Sequence, residues 1–162
     1  MRKLAFAATL SLACMASAPA FSANIVETAK NAGTFNKLLA AAEAAGLADA
    51  LASGENLTVF APTDAAFDAL PDGTVERLLK PENKDQLVAV LTYHVLPREL
   101  ASNQLPGRTI HVKTIKSDGD RMLSVSKTGE GVTVDGANVV AADIRADNGI
   151  IHVIDKVMLP DN

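Results

Sequence analysis

The stretch Asn56-Leu-Thr-Val-Phe-Ala-Pro-Thr-Asp-Ala-Ala-Phe67 constrains the fold of this chain most tightly. Leu57 to Ala61 is a short apolar run rich in strand formers, including Thr58 and Phe60, and it stops at Pro62. Thr63 or Asp64 then supplies a side-chain oxygen that can accept a free N–H of a first helical turn. The stretch therefore predicts a buried strand that turns straight into a helix, with Phe60 and Phe67 in the core.

The first residues bear on compartment. Arg2 and Lys3 form a basic start, Leu4 to Ala13 a short apolar run, and Ala16-Ser-Ala-Pro-Ala20 a small-residue segment. That is the layout of a secretory signal peptide over residues 1–23, and the run is too short to span a membrane. The sole cysteine, Cys14, lies inside it. A lipidated Cys14 is the competing reading, but Ser11-Leu12-Ala13 matches the usual tripeptide poorly. Without residues 1–23 the chain has 139 residues and no cysteine, with thirteen basic residues against nineteen acidic ones, a net charge of −6. One domain, residues 24–162, fits that length. The charge and the lack of basic clusters argue against nucleic acid and anionic lipid as partners. No later segment is apolar and long enough for a transmembrane anchor.

The first half of this region reads as helix. Ile25 to Ala32 is a short start, and Thr34 is placed to cap a helix that carries Phe35, Leu38, Leu39 and Ala42 on one face and ends at Gly46. Leu47 to Ala52 is another short turn, and Ala65 to Leu70 a helix stopped by Pro71. Pro81 pre-sets a helix with Leu87, Val90, Leu91 and His94 on one stripe. The second half reads as strands: Thr109 to Ile115, Met122 to Lys127, Val132 to Val134, Val139 to Ile144 and Ile150 to Met158. Turn signals separate them at Asp118-Gly119, Gly129-Glu130-Gly131, Asp135-Gly136 and Asn148-Gly149. Helices first and strands later give an α+β class with mostly antiparallel pairing.

Three segments together carry a resemblance. Thr58 to Phe67 is followed by Tyr93-His94 in the middle and by Asn148-Gly-Ile-Ile-His-Val-Ile-Asp155 near the end. In this order they resemble the fasciclin-type domain of secreted and cell-surface proteins. The resemblance implies a wedge of two small, mostly antiparallel sheets with the N-terminal helices packed at one side. It also implies that strand 57–61 joins the C-terminal strands. The motif residues Thr58, Phe60, Pro62, Thr63, Asp64, Phe67, Asn148, Gly149, His152 and Asp155 are then expected to be structural. In animal members the Tyr-His region and an Asp-Ile pair are implicated in integrin binding; Tyr93, His94, Asp143 and Ile144 stand at the matching positions.

Chemistry-bearing patterns are sparse. His94 shares its stripe with Leu87 and Leu91, and His152 alternates with Ile150 and Ile154, so both read first as core histidines with hydrogen-bond acceptors. Tyr93 reads as core packing, and Asp143-Ile144 as a strand end. Three scattered histidines make a poor zinc set, no serine sits in a nucleophile elbow, and Gly129-x-Gly131 reads as a hairpin turn rather than a phosphate loop. Asn56-Leu57-Thr58 is a formal glycosylation sequon beside a buried strand and reads as chance. No cofactor is expected. The sequence therefore points to an exported, non-enzymatic interaction module in adhesion or in envelope or matrix association. Its partner would be a protein or an envelope or matrix component, and bridging would need two faces or a homo-oligomer. The alternative is a carrier for a small apolar ligand or lipid, which needs an apolar cavity.

Overall fold

The computed structural model describes residues 23–116, 122–129 and 131–159. All of the expected leader but Ala23, Cys14 included, lies outside the described residues, as do the Asp118-Gly119 turn and Glu130.

Six α-helices and seven strands are described. Asn24 caps α1 (Ile25–Ala32), its side chain accepting from Glu27 N–H at 2.9 Å. α2 (Asn36–Ala45) ends at Gly46, which takes the left-handed conformation at φ +74°. Thr34 does not cap α2. Instead Asp64 reaches across, accepting from Lys37 N–H at 2.8 Å and from Asn36 Nδ2 at 3.0 Å. α3 (Ala48–Ser53) leads into β1 (Leu57–Pro62). Thr63 is the N-cap of α4 (Asp64–Asp68), accepting from Ala66 N–H at 3.2 Å. The two adjacent oxygens thus divide the work: Thr63 caps its own helix, and Asp64 caps α2. α5 (Thr74–Leu78) and a 3₁₀ turn at Pro81–Asn83 precede α6 (Lys84–Tyr93), with His94 as its C-cap. A two-residue strand unforeseen in the sequence, β2 (Val95–Leu96), follows at once.

The remaining strands are β3 (Ile110–Lys113), β4 (Met122–Thr128), β5 (Gly131–Val134), β6 (Ala137–Ala146) and β7 (Gly149–Ile154). They pair in the order β2-β1-β7-β6-β5-β4-β3. β1 and β7 run parallel, Phe60 facing His152, and the other pairs are antiparallel. Two small sheets were expected; the pairings fall into two groups, β2-β1-β7-β6 and β6-β5-β4-β3, continuous with each other in one hydrogen-bonded order. The reason is β6, which pairs with β5 through Asn138 and Ala137 and with β7 from Val139 to Ala146. Its register shifts between Val139 and Ala141 and again between Ala141 and Ile144, as an irregular, bent strand does. Beyond β3, Ile115 N–H donates to Val95 O at 3.0 Å, so the two ends of the order meet. Asp135 and Gly136, at φ +48° and +80°, form the tight turn from β5 to β6.

Strand alternation divides the interior into two cores. Val59 and Ala61 of β1, with Ile151 and Val153 of β7, face a helical core containing Phe35, Leu38, Phe67, Leu87 and Leu91. Phe60 and Ile154 face the opposite way, into a core with Tyr93, Leu96, Leu123, Val125 and Val134. β1 and β7 are therefore buried on both sides, which explains their unbroken apolar runs.

Candidate functional site

The four residues expected to form an interaction site are not displayed together. Tyr93 is buried in the second core, its O–H directed at Met122 O (3.3 Å) and Asp135 Oδ2 (3.2 Å). His94 is 2% exposed. Its Nδ1–H donates to Val90 O at 2.7 Å, and Nε2 accepts Met158 N–H at 3.0 Å. Both bonds require the neutral ring in one tautomer. Burial accordingly pushes its imidazole down from the ordinary 6.5 to about 4.

Asp143 and Ile144 sit on β6 at its irregularity. Asp143 takes φ +58°, a left-handed conformation in which aspartate is tolerated. Its N–H donates to His152 Nδ1 at 3.3 Å, and its carboxylate accepts Ser102 N–H (2.7 Å) and Ser102 O–H (2.5 Å). Burial pushes this carboxyl up, but the Ser102 bonds, with His152 and Arg145 nearby, outweigh it and hold the group below its ordinary value. His152 Nε2–H in turn donates to Leu100 O at 2.7 Å, and its ring stacks on Phe60 at 5.5 Å. Thr58 Oγ1 fastens the same segment, donating to Arg98 O (2.7 Å) and accepting Leu100 N–H (2.8 Å). Ile144 packs against the helical core. Asp143 and Ile144, both half-buried, thus hold β6 in shape.

What β6 does present is Val140, Ala141 and Ala142, all exposed, with Val140 at 61%. Further along β6, Arg145 makes an exposed ion pair with Glu99 at 3.8 Å. Neither Ser102 nor the Val140–Ala142 strip is foreseen in the sequence. Ser102 lies in a 3₁₀ turn with no local signal of its pairing to a strand 41 residues on. The strip reads locally as an ordinary strand, because its outward turn depends on the register shift.

The last motif is structural in detail. Asn148 Nδ2 donates to Leu51 O (2.7 Å) and Gly54 O (2.9 Å), and its Oδ1 accepts Ile25 N–H (2.8 Å). At Gly149 a Cβ would lie 2.0 Å from Leu57 O, so the parallel approach of β1 requires glycine there. The turn itself is Asp147-Asn148, and Gly149 is the first residue of β7. Asp155 accepts from Asn138 N–H (2.9 Å) and Nδ2 (3.0 Å), which lower its carboxyl below the ordinary range.

His111 Nδ1 lies 3.0 Å from Ser124 Oγ, but the pair sits in an exposed setting, away from the apolar pocket. Among the described residues, no group of three His, Cys, Asp or Glu is placed to hold a metal ion. No described helix is long and apolar enough to cross a membrane. One apolar pocket of about 150 Å³ opens between α1, α2, α3 and β1.

Comparison with known proteins agrees with this architecture. The Fasciclin domain profile matches residues 33–160. Protein sll1483 of Synechocystis is 48% identical over 136 residues, which cover 84% of this chain and 73% of that protein. Transforming growth factor-beta-induced protein ig-h3 of Sus scrofa is 38% identical over 136 residues, 84% of this chain but only 19% of that one. Among solved structures, a FAS1 domain pair from the insect cell adhesion molecule Fasciclin I superposes with a TM-score of 0.57 at 18% identity, covering 79% of this chain and 46% of that one. The chain belongs to the fasciclin domain family.

Proposed function

We propose that this protein is an exported, non-enzymatic interaction module, released from a leader of residues 1–23 and used in adhesion or in envelope or matrix association. Its domain spans residues 24–162, a wedge whose two small sheets share β6, with the N-terminal helices packed at one side. The observation that carries the reading is the exposed Val140–Ala142 strip on a register-shifted strand. Shifted and bulged strands re-aim side chains at functional surfaces, and an exposed apolar strip suits protein contact. Val140 and its neighbours make the contact, while Asp143, Ser102 and His152 hold the strand in place. Family membership supports the same reading, since one relative by fold is described as a cell adhesion molecule.

The non-enzymatic part rests on how the titratable groups are spent. Both buried histidines have each ring nitrogen engaged by backbone. Such groups are positioned as scaffold and hold no mobile proton at a cleft. Bridging two surfaces would use a second copy of the chain. The test is retention of the mature protein on isolated envelopes, run beside a broad hydrolase screen. Retention without product formation fits the proposal. Steady turnover abolished by one substitution, or no retention at all, would refute it.

A further inference from the structure

We propose that the pocket between α1, α2, α3 and β1 is a binding site for a compact, neutral apolar ligand, or for the apolar end of a longer one. Its walls include Ile25, Ala29, Leu38, Ala42, Leu51 and Val59, drawn from three helices and β1. The volume of about 150 Å³ matches that of an engineered apolar cavity that stays dry and takes up benzene, so it encloses roughly six carbon atoms. A second apolar gap, beneath α5 and α6, has about 10 Å³ and holds no such group.

The polar side chains on the wall are already committed. Thr92 Oγ1 donates to Val88 O at 2.7 Å, and His94 uses both ring nitrogens on backbone groups. No lining side chain is left with a free donor for a polar ligand, so a hydroxyl or charge placed inside would lose its water without replacement. An amphiphile must therefore keep its head group outside. Ala50 and Ile115 are exposed lining residues that border the opening. The surface formed by Val140 plays no part in this site, so the two readings stand or fall separately.

The experiment titrates the mature protein with benzene and, separately, with sodium octanoate, following backbone amides by NMR. Saturable shifts confined to the elements that line the pocket, α1, α2, α3 and β1 with the adjoining parts of α6, β2 and β7, are expected with benzene. The same shifts with octanoate show that chain ends enter as well. Ala42→Leu fills the pocket and should weaken binding at least tenfold. Should that variant fail to fold, Ala50→Phe at the exposed rim gives the same comparison on an intact core. Absence of saturable shifts with both probes, or affinity unchanged in a folded variant, would overturn the proposal.

Discussion

Asn148 Oδ1 accepts the backbone N–H of Ile25 at 2.8 Å, joining residues 123 apart in sequence. The same side chain donates to carbonyls at the end of α3, so one amide ties the start of α1, the end of α3 and the turn before β7. Removing it leaves a donor and several acceptors without that partner, at about 1–3 kcal/mol for each that water cannot reach. Asn148→Ala is expected to cost about 2–3 kcal/mol in urea unfolding. Asn148→Asp keeps the acceptor and loses the donor, so it too should destabilise. A wild-type midpoint in both variants would contradict the role assigned to this amide.

Gly149 is predicted to be the least replaceable residue of the last motif. An added methyl would meet Leu57 O at 2.0 Å and Ile25 Cδ1 at 2.9 Å. The carbonyl belongs to a paired strand and cannot swing away as a flexible side chain does. Gly149→Ala should cost at least about 4 kcal/mol or prevent folding, an effect reserved for a few mechanisms such as this steric conflict. Gly129→Ala, where a Cβ meets nothing within 4 Å, is the matched control and should leave the melting temperature nearly unchanged.

His94 sets a pH dependence whose sign is fixed. Its pKa falls on folding, so the native state prefers the neutral ring. The stability this preserves is fully present above 6.5 and is lost as pH falls from 6.5 towards about 4. Over that window the loss is about 3 kcal/mol, at about 1.4 kcal/mol per unit. Asp64, Asp143 and Asp155 have lowered values, so their contribution is present above the ordinary carboxylate value of 3.8 and disappears below it. Denaturant unfolding between pH 7 and pH 4 should show the histidine slope, and His94→Gln should flatten it. A profile in the variant as steep as that of wild type would assign the slope elsewhere.

Export predicts a mature N-terminus between Phe21 and Asn24. Intact mass of the secreted protein measures it directly. A retained Met1, or a lipid mass on Cys14, would contradict the leader reading.

The extent to which the sequence disclosed this fold follows from the range of each interaction. Helix boundaries such as Ile25–Ala32 and the stop at Gly46 were readable because caps and periodicity act within a turn or two. The parallel pairing of β1 with β7 rested on resemblance, since nothing local to Leu57–Pro62 specifies a partner some 90 residues away. β2 was missed because two residues have no period. Thr34 looked like the cap of α2, but a side chain from the β1–α4 junction supplies it, and spacing along the chain cannot show such a contact. Gly149 looked like a turn glycine, whereas the strand beside it is what demands it. At the candidate site, Asp143 was visible as a residue and invisible as a clamp, because Ser102 and His152 meet it only in three dimensions.

The central claim is that an apolar strip on β6 makes the contact with a partner surface. Retention on isolated envelopes, compared between wild type and Val140→Asp across a salt series, tests it most directly. Val140 is 61% exposed, so the substitution should leave the melting temperature unchanged. Apolar contact is screened little by salt, and the net charge of −6 left after residues 1–23 adds no attraction to an anionic surface. The account predicts that wild type stays bound through moderate salt, while Val140→Asp is released at every salt concentration with its fold intact. Release of wild type by moderate salt, or equal retention of the two proteins, would contradict it.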